Sequence, residues 1–371
     1  MRYIKLFANC IQVRGFHRSF VYDLQRPAAS NAIPNDLFDI LAKYRMLSVE
    51  EIKEIFKHKY DDTIEEYFQF LLDREFAYDF SPDELEHFPE IDDIWDKSST
   101  ITNAIFQVQP NDFELLHNVL QQLSLLRCDA VQLHYTAQPT NYQISKLSKV
   151  LNELRIFHIE VVFNASVSFD IEEILEIAKK QPRFQRFFIG NTILPDINAS
   201  PAVYSSPHTF NINEQCGKIS TDFFAINMDM FYEAQHHNTC LNRKVCIDAN
   251  GDIRNCPAMK QSYGNIRDTT LKEAIEKPGF KDCWTICKDQ IDVCKDCEFR
   301  YMCTDCRAFI KDPANPYSQP AKCTYNPYIC LWEGQDGYVP VEECGTYSRE
   351  TGFVPDKMKI AELNRRIWGE D

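Results

Sequence analysis

From Tyr3 to about Asp23 apolar positions partly alternate with polar ones and Gly15 interrupts the run, a period of two that predicts two antiparallel strands joined by a turn. The period then changes. Asn35 is placed to cap a helix carrying Leu37, Ile40 and Leu41. Ser48 with Glu51, and Thr63 with Glu66, have the spacing of capping boxes, in which a hydroxyl and a carboxylate satisfy each other's backbone N–H groups. Alternation returns at Phe76, Tyr78 and Phe80. Strands, helix starts and a closing strand together predict a small winged-helix-like module over residues 1–90.

Residues 81–97, SPDELEHFPEIDDIWDK, are acidic and hold two prolines, the composition of a linker. Beyond them strand-like runs begin at Ile101 (ITNAIFQVQ), Ala130 (AVQLH), His158 (HIEVVF) and Arg186 (RFFIG), separated by helical segments such as DFELLHNVLQQL. This βα repeat predicts an α/β domain over 98–214 with a parallel sheet or partial barrel. Such folds place chemistry on the loops after the strands. The first of these, QPNDFELL, has no cysteine, and the second, HYTAQPT, follows His134, which has no carboxylate or thiol beside it and reads as a structural histidine. A Gly-rich phosphate loop is absent from the sequence.

Length and charge narrow the partners. At 371 residues the chain needs more than one core, and 44% apolar with 26% charged residues is the balance of a globular protein. No apolar run approaches the roughly 20 residues that cross a bilayer, and the opening MRYIKLFANCIQVRG lacks the apolar centre of a signal peptide. A cytoplasmic protein without a membrane partner is expected. A net charge of −15 argues against nucleic acid, and the winged-helix-like module carries Asp61, Asp62, Glu65 and Glu66 where a phosphate-binding face needs lysines. Besides mere packing, such a module serves to accept a peptide as an added strand at its sheet edge.

Fifteen cysteines are too many for disulfides in a reducing compartment, and all but Cys10 and Cys128 lie between Cys216 and Cys344. A metal-binding domain is expected over 215–330, followed by a tail over 331–371. The stretch CLNRKVCIDANGDIRNCP sets Cys240, Cys246 and Cys256 around Asn250-Gly251, a dipeptide suited to a tight hairpin. Cys294-x-x-Cys297 follows, then Cys303, Cys306 and Cys323. Eight cysteines make two four-thiolate sites, and thiolates without histidine serve zinc and iron–sulfur clusters alike. Cys283, Cys287, Cys330 and Cys344 fall outside the pattern and read as structural.

The run from Cys240 to Cys323 closely resembles the SPASM domain, the twin-cluster extension behind radical S-adenosylmethionine peptide maturases. The resemblance implies two [4Fe–4S] clusters, the first on Cys240, Cys246, Cys256 and Cys306 and the second on Cys294, Cys297, Cys303 and Cys323. The knot's last gap is two residues where three is common, and Cys216, in NEQCGKIS, stands ready to replace Cys246 in the first set. Over nearly its whole length, through LFANCIQVRG, YDLQR and CKDCEFRYMCTDCRAF, the chain looks like the grasp-with-spasm peptide maturases. That likeness implies a ribosomal precursor peptide as partner, an N-terminal module that recognises its leader, and an ATP-grasp ligase working on the same peptide. The middle domain then resembles a radical S-adenosylmethionine barrel without its Cys-x-x-x-Cys-x-x-Cys motif, so cleavage of S-adenosylmethionine is not expected. A redox enzyme acting through its clusters and a zinc-stapled adaptor are the alternatives.

Overall fold

The computed structural model describes all residues except 82–83, 85–90, 93, 95, 167–170, 196, 213–215 and 370–371. The expected linker at 81–97 therefore lies largely outside the described residues. Two compact units emerge, one of Met1–Trp95, Ile219–Thr239 and Ile286–Asp371, the other of Asp96–Lys218 and Cys240–Thr285. They cut across the segments expected from sequence. The N-terminal stretch and the cysteine-rich end share the first unit, whereas Cys240–Thr285 belongs with the βα repeat.

The first unit opens with β1 (Tyr3–Leu6), β2 (Cys10–Val13), β3 (Arg18–Asp23), β4 (Asn31–Pro34), α1 (Asn35–Lys43), α2 (Val49–Ile55), α3 (Asp61–Asp73) and β5 (Ala77–Phe80). β2, β3 and β4 form one antiparallel sheet, and β1 pairs with β5 in a second. The alternation before Asp23 thus serves three strands. Ser48 and Glu51 make the expected capping box on α2. The other two caps differ from expectation. Asn35 is the first residue of α1, and its side chain is drawn instead to Phe16 O and Ser19 Oγ, holding the β2–β3 turn. Thr63 lies inside α3, which begins two residues earlier where Asp61 and Asp62 favour the positive end of the helix dipole.

The second unit supplies β6 (Asn103–Val108), α4 (Phe113–Leu125), β7 (Ala130–Tyr135), α5 (Asn141–Leu151), β8 (His158–Asn164), α6 (Glu172–Lys179), β9 (Phe184–Gly190) and β10 (Ala202–Ser205). After the first unit's α7 (Met228–His236) come β11 (Lys244–Ile247), β12 (Ile253–Arg254) and α8 (Leu271–Glu276). The seven strands run in the order β10-β9-β8-β7-β6-β11-β12, all neighbours parallel except β11 with β12. One face is the core, where Phe106, Leu133, Val161 and Phe187 meet Leu120, Leu147 and Ile174 of the helices. The other face mixes apolar side chains such as Val162 and Phe188 with a polar ladder. Glu160 accepts from Gln132 at 2.8 Å and pairs with Arg186 at 3.0 Å, its register neighbours. His134 Nε2 sits 2.6 Å from Gln132 Oε1, and burial pulls its pKa down to about 4, so it is a neutral, satisfied histidine of this ladder.

The first unit resumes with the cysteine-rich segment, then β13 (Tyr325–Asn326), β14 (Leu331–Trp332), β15 (Gly345–Ser348), β16 (Gly352–Pro355) and α9 (Lys357–Trp368). Its unity has a plain cause. Val13, Tyr22 and Leu24 of the N-terminal strands share a buried cluster with Phe231, Tyr232, Phe299, Met302 and Tyr325. Gly15 is required there, since a Cβ would collide with Arg18 O and crowd Glu298. The C-terminal segment is anchored in turn, because Ile360 and Leu363 of α9 pack with Val293, Tyr328 and Phe353. Among the described residues no helix is long and apolar enough to cross a membrane.

Candidate metal centre

Four thiols gather in the second unit. Cys246 sits on β11, which turns through Asn250 and Gly251 into β12; Gly251 holds φ +88, a region that glycine enters without steric cost. Cys256 follows β12, and Cys240 precedes β11. Asn255 ties the two ends together, donating to Leu241 O at 3.0 Å and Lys244 O at 2.7 Å. Cys216, forty residues earlier, places its Sγ 3.6 Å from Cys256 Sγ. Lys244 Nζ stands 3.8 Å from Cys240 Sγ. Burial alone would depress that amine, but Cys240, Cys256, Cys216 and Cys246 act together to raise it instead. The Cys256 thiol is held well up by its contact with Cys216 and by burial, and Cys246 by burial.

A second gathering lies in the first unit. Cys294 begins a single 3₁₀ turn ending at Asp296, and Cys297 closes it by donating its N–H to Cys294 O at 3.0 Å. Val293, just before, is held at φ +67, an uncommon place for a β-branched residue and one that fixes where Cys294 points. Cys294, Cys297, Cys303 and Cys323 line one small pocket with Lys288, walled by Phe224, Phe299, Tyr325 and Trp332. The Phe299 N–H lies 3.4 Å from Cys297 Sγ, the kind of donor that stabilises a bound thiolate. Lys288 is 4% exposed, with Nζ 3.4 Å from Cys303 Sγ. Burial pushes the Cys294 thiol up to about 12 and that of Cys303 to about 11.

All fifteen cysteines are free thiols. Cys216, Cys240, Cys246 and Cys256 lie in one unit. Cys294, Cys297, Cys303 and Cys323 come together in the other. Cys306 is buried in that same unit, in sequence beside Asp305. Cys330 and Cys344 are buried, Cys330 with its thiol pushed up to about 12 by burial and Cys344 beside Asn326 Nδ2 at 3.3 Å. Cys287 caps a 3₁₀ turn, and Cys283 is partly buried.

Sequence reasoning passed over Lys244 and Lys288. The only signal was a lysine within a cysteine-dense stretch, two residues before Cys246 in one case and adjoining Cys287 in the other.

The donor set fits the cofactor that the resemblance implies. Each group offers four soft donors with a lysine beside them, and the second lines a largely apolar pocket, a setting that suits thiolate-bound clusters. Among the described residues no three His, Cys, Asp or Glu side chains converge at single-ion spacing. The choice between zinc and clusters thus rests on ligand type, ligand count and the resemblance.

Comparison with known proteins adds little to this geometry. No family model matches the chain, and no curated protein does. Among solved structures it is similar to Streptococcus suis SuiB bound to S-adenosylmethionine, at 11% identity and a TM-score of 0.34 over 85% of this chain and 98% of that one. A second structure of S. suis SuiB gives 10% identity and 0.33, over 86% and 99%. At those values the likeness carries no conclusion on fold or activity.

Proposed function

We propose that this chain is an iron–sulfur protein of ribosomal peptide maturation, which binds a precursor leader and works with an ATP-grasp ligase without cleaving S-adenosylmethionine itself. The observation that carries it is the gathering of eight thiols into two groups of four, each inside one unit and each with a lysine beside it. The first cluster would rest on Cys216, Cys240, Cys246 and Cys256, the second on Cys294, Cys297, Cys303 and Cys323. When bound, such clusters supply structural cross-links and one-electron relays. The residues' own work is to orient the thiolates and exclude water: Asn255 clamps the Cys240 loop to β11, and Phe299, Tyr325 and Trp332 wall the second pocket. In the middle domain, the loop Gln109–Asp112 after β6 has no cysteine with which to hold a third cluster.

Leader binding is supported by an open edge. Among the described residues β2 pairs only with β3, and a groove of about 490 Å³ lined by Ile4, Leu6, Ile11, Gln12, Leu41 and Tyr78 runs along it. Gln12 Oε1 lies buried there without a hydrogen-bond partner among the described residues. An extended peptide laid along β2 would satisfy edge amides and carbonyls while its alternate side chains enter the groove.

Two measurements test the reading. Protein reconstituted without oxygen is expected to carry about eight iron atoms with matching sulfide, as two four-iron clusters demand; about two zinc ions and no sulfide would replace it with the stapled adaptor. Synthetic leader peptides are expected to bind at about micromolar affinity and to slow hydrogen exchange at Cys10–Val13. Binding that leaves those amides unchanged would exclude strand addition at β2.

A further inference from the structure

Each thiol group has one lysine beside it. Lys288 Nζ lies 3.4 Å from Cys303 Sγ with the side chain almost wholly buried, and Lys244 Nζ lies 3.8 Å from Cys240 Sγ. An ammonium is costly to bury unless an anion faces it. The carboxylates that could serve are already engaged. Near Lys288, Asp305 is bonded to Arg307 at 2.7 Å, with both side chains buried, and to Asn238 at 2.6 Å. Glu298, next to Cys297, is paired with Arg18 at 2.7 Å. Beside the other group, Asp248 pairs with Arg254 at 2.9 Å. Asp305 still adds to the charge that favours the Lys288 ammonium, but the sulfurs of Cys303 and Cys294 come before it, and around Lys244 the sulfurs of its own group supply it.

A four-iron cluster on four thiolates carries roughly two negative charges oxidised and three reduced, and in a low-dielectric pocket that last charge is the expensive one. We propose that Lys288 and Lys244 are the charge-compensating residues of the two clusters, each holding its own cluster's reduction potential up by stabilising the reduced form. This rests on the cluster reading above. The electron in question comes from an external one-electron reductant, here a redox mediator, and reduces one cluster at a time without any bond being formed or broken in the protein.

The test is a mediated potentiometric titration of reconstituted full-length protein, followed by electron paramagnetic resonance, after iron and sulfide have been counted. Lys288→Gln is expected to move one of two reduction waves to lower potential and leave the other in place. Lys244→Gln should move the other wave alone, and Lys288→Arg should restore the native position. Loss of the second cluster in Lys288→Gln but not in Lys288→Arg would also uphold a role for the charge. Unmoved waves in the glutamine variants, or equal cluster loss in the glutamine and arginine variants, would overturn the inference while leaving the cluster reading intact. Wild-type protein without iron or sulfide would overturn both.

Discussion

Cys216→Ala is expected to lower the iron of the reconstituted chain from about eight atoms towards about four, because losing one of four thiolates opens an iron to solvent and labilises the cluster, whereas Cys306→Ala is expected to keep about eight. Cys216 stands 3.6 Å from Cys256 and within the same compact unit as Cys240 and Cys246. Cys306 is buried and stands outside the four thiols proposed for either cluster. Iron, sulfide and the visible charge-transfer band, measured on both variants side by side, decide the matter. Iron lost in Cys306→Ala and retained in Cys216→Ala would return Cys306 to the first set.

Arg18→Ala is expected to destabilise the first unit by about 3 to 5 kcal/mol, the loss typical of stripping one partner from a buried ion pair. Glu298 is fully buried; Arg18 Nε bonds it at 2.7 Å and Tyr325 Oη at 2.6 Å, while its Oε2 has no partner among the described residues. Removing the guanidinium strands a carboxylate next to Cys297. Replacing both partners, as Arg18→Met with Glu298→Gln, should recover most of the loss, since no charge then stays buried. Chemical denaturation of the three proteins supplies the comparison. A cost below about 1 kcal/mol for Arg18→Ala would mark the pair as an ordinary surface contact.

Much of the architecture was legible because it is local. The βα repeat announced itself through apolar runs such as AVQLH and HIEVVF, and β7 and β8 form where those runs lie. The Ser48–Glu51 capping box formed as spaced. Asn35 and Thr63 did not cap, because a cap is a competition that tertiary contacts enter: Asn35 found Phe16 O and Ser19 Oγ within reach. The third N-terminal strand was hidden for a related reason, since β1 takes its partner from β5, some seventy residues away.

The sequence by itself determined the chemistry available: eight patterned thiolates and Cys216, an Asn-Gly turn to fold Cys246 towards Cys256, and no cysteine after the first strand of the repeat. Spacing along the chain carries that much because it reflects residue type and turn propensity. Only the tertiary structure decided that Cys216 comes to Cys256 across forty positions, and that Lys244 and Lys288 stand beside thiols. Those outcomes depend on burial and on charge balance between residues remote in sequence. A lysine has the same letter whether it faces water or sulfur, and only the fold around it settles which.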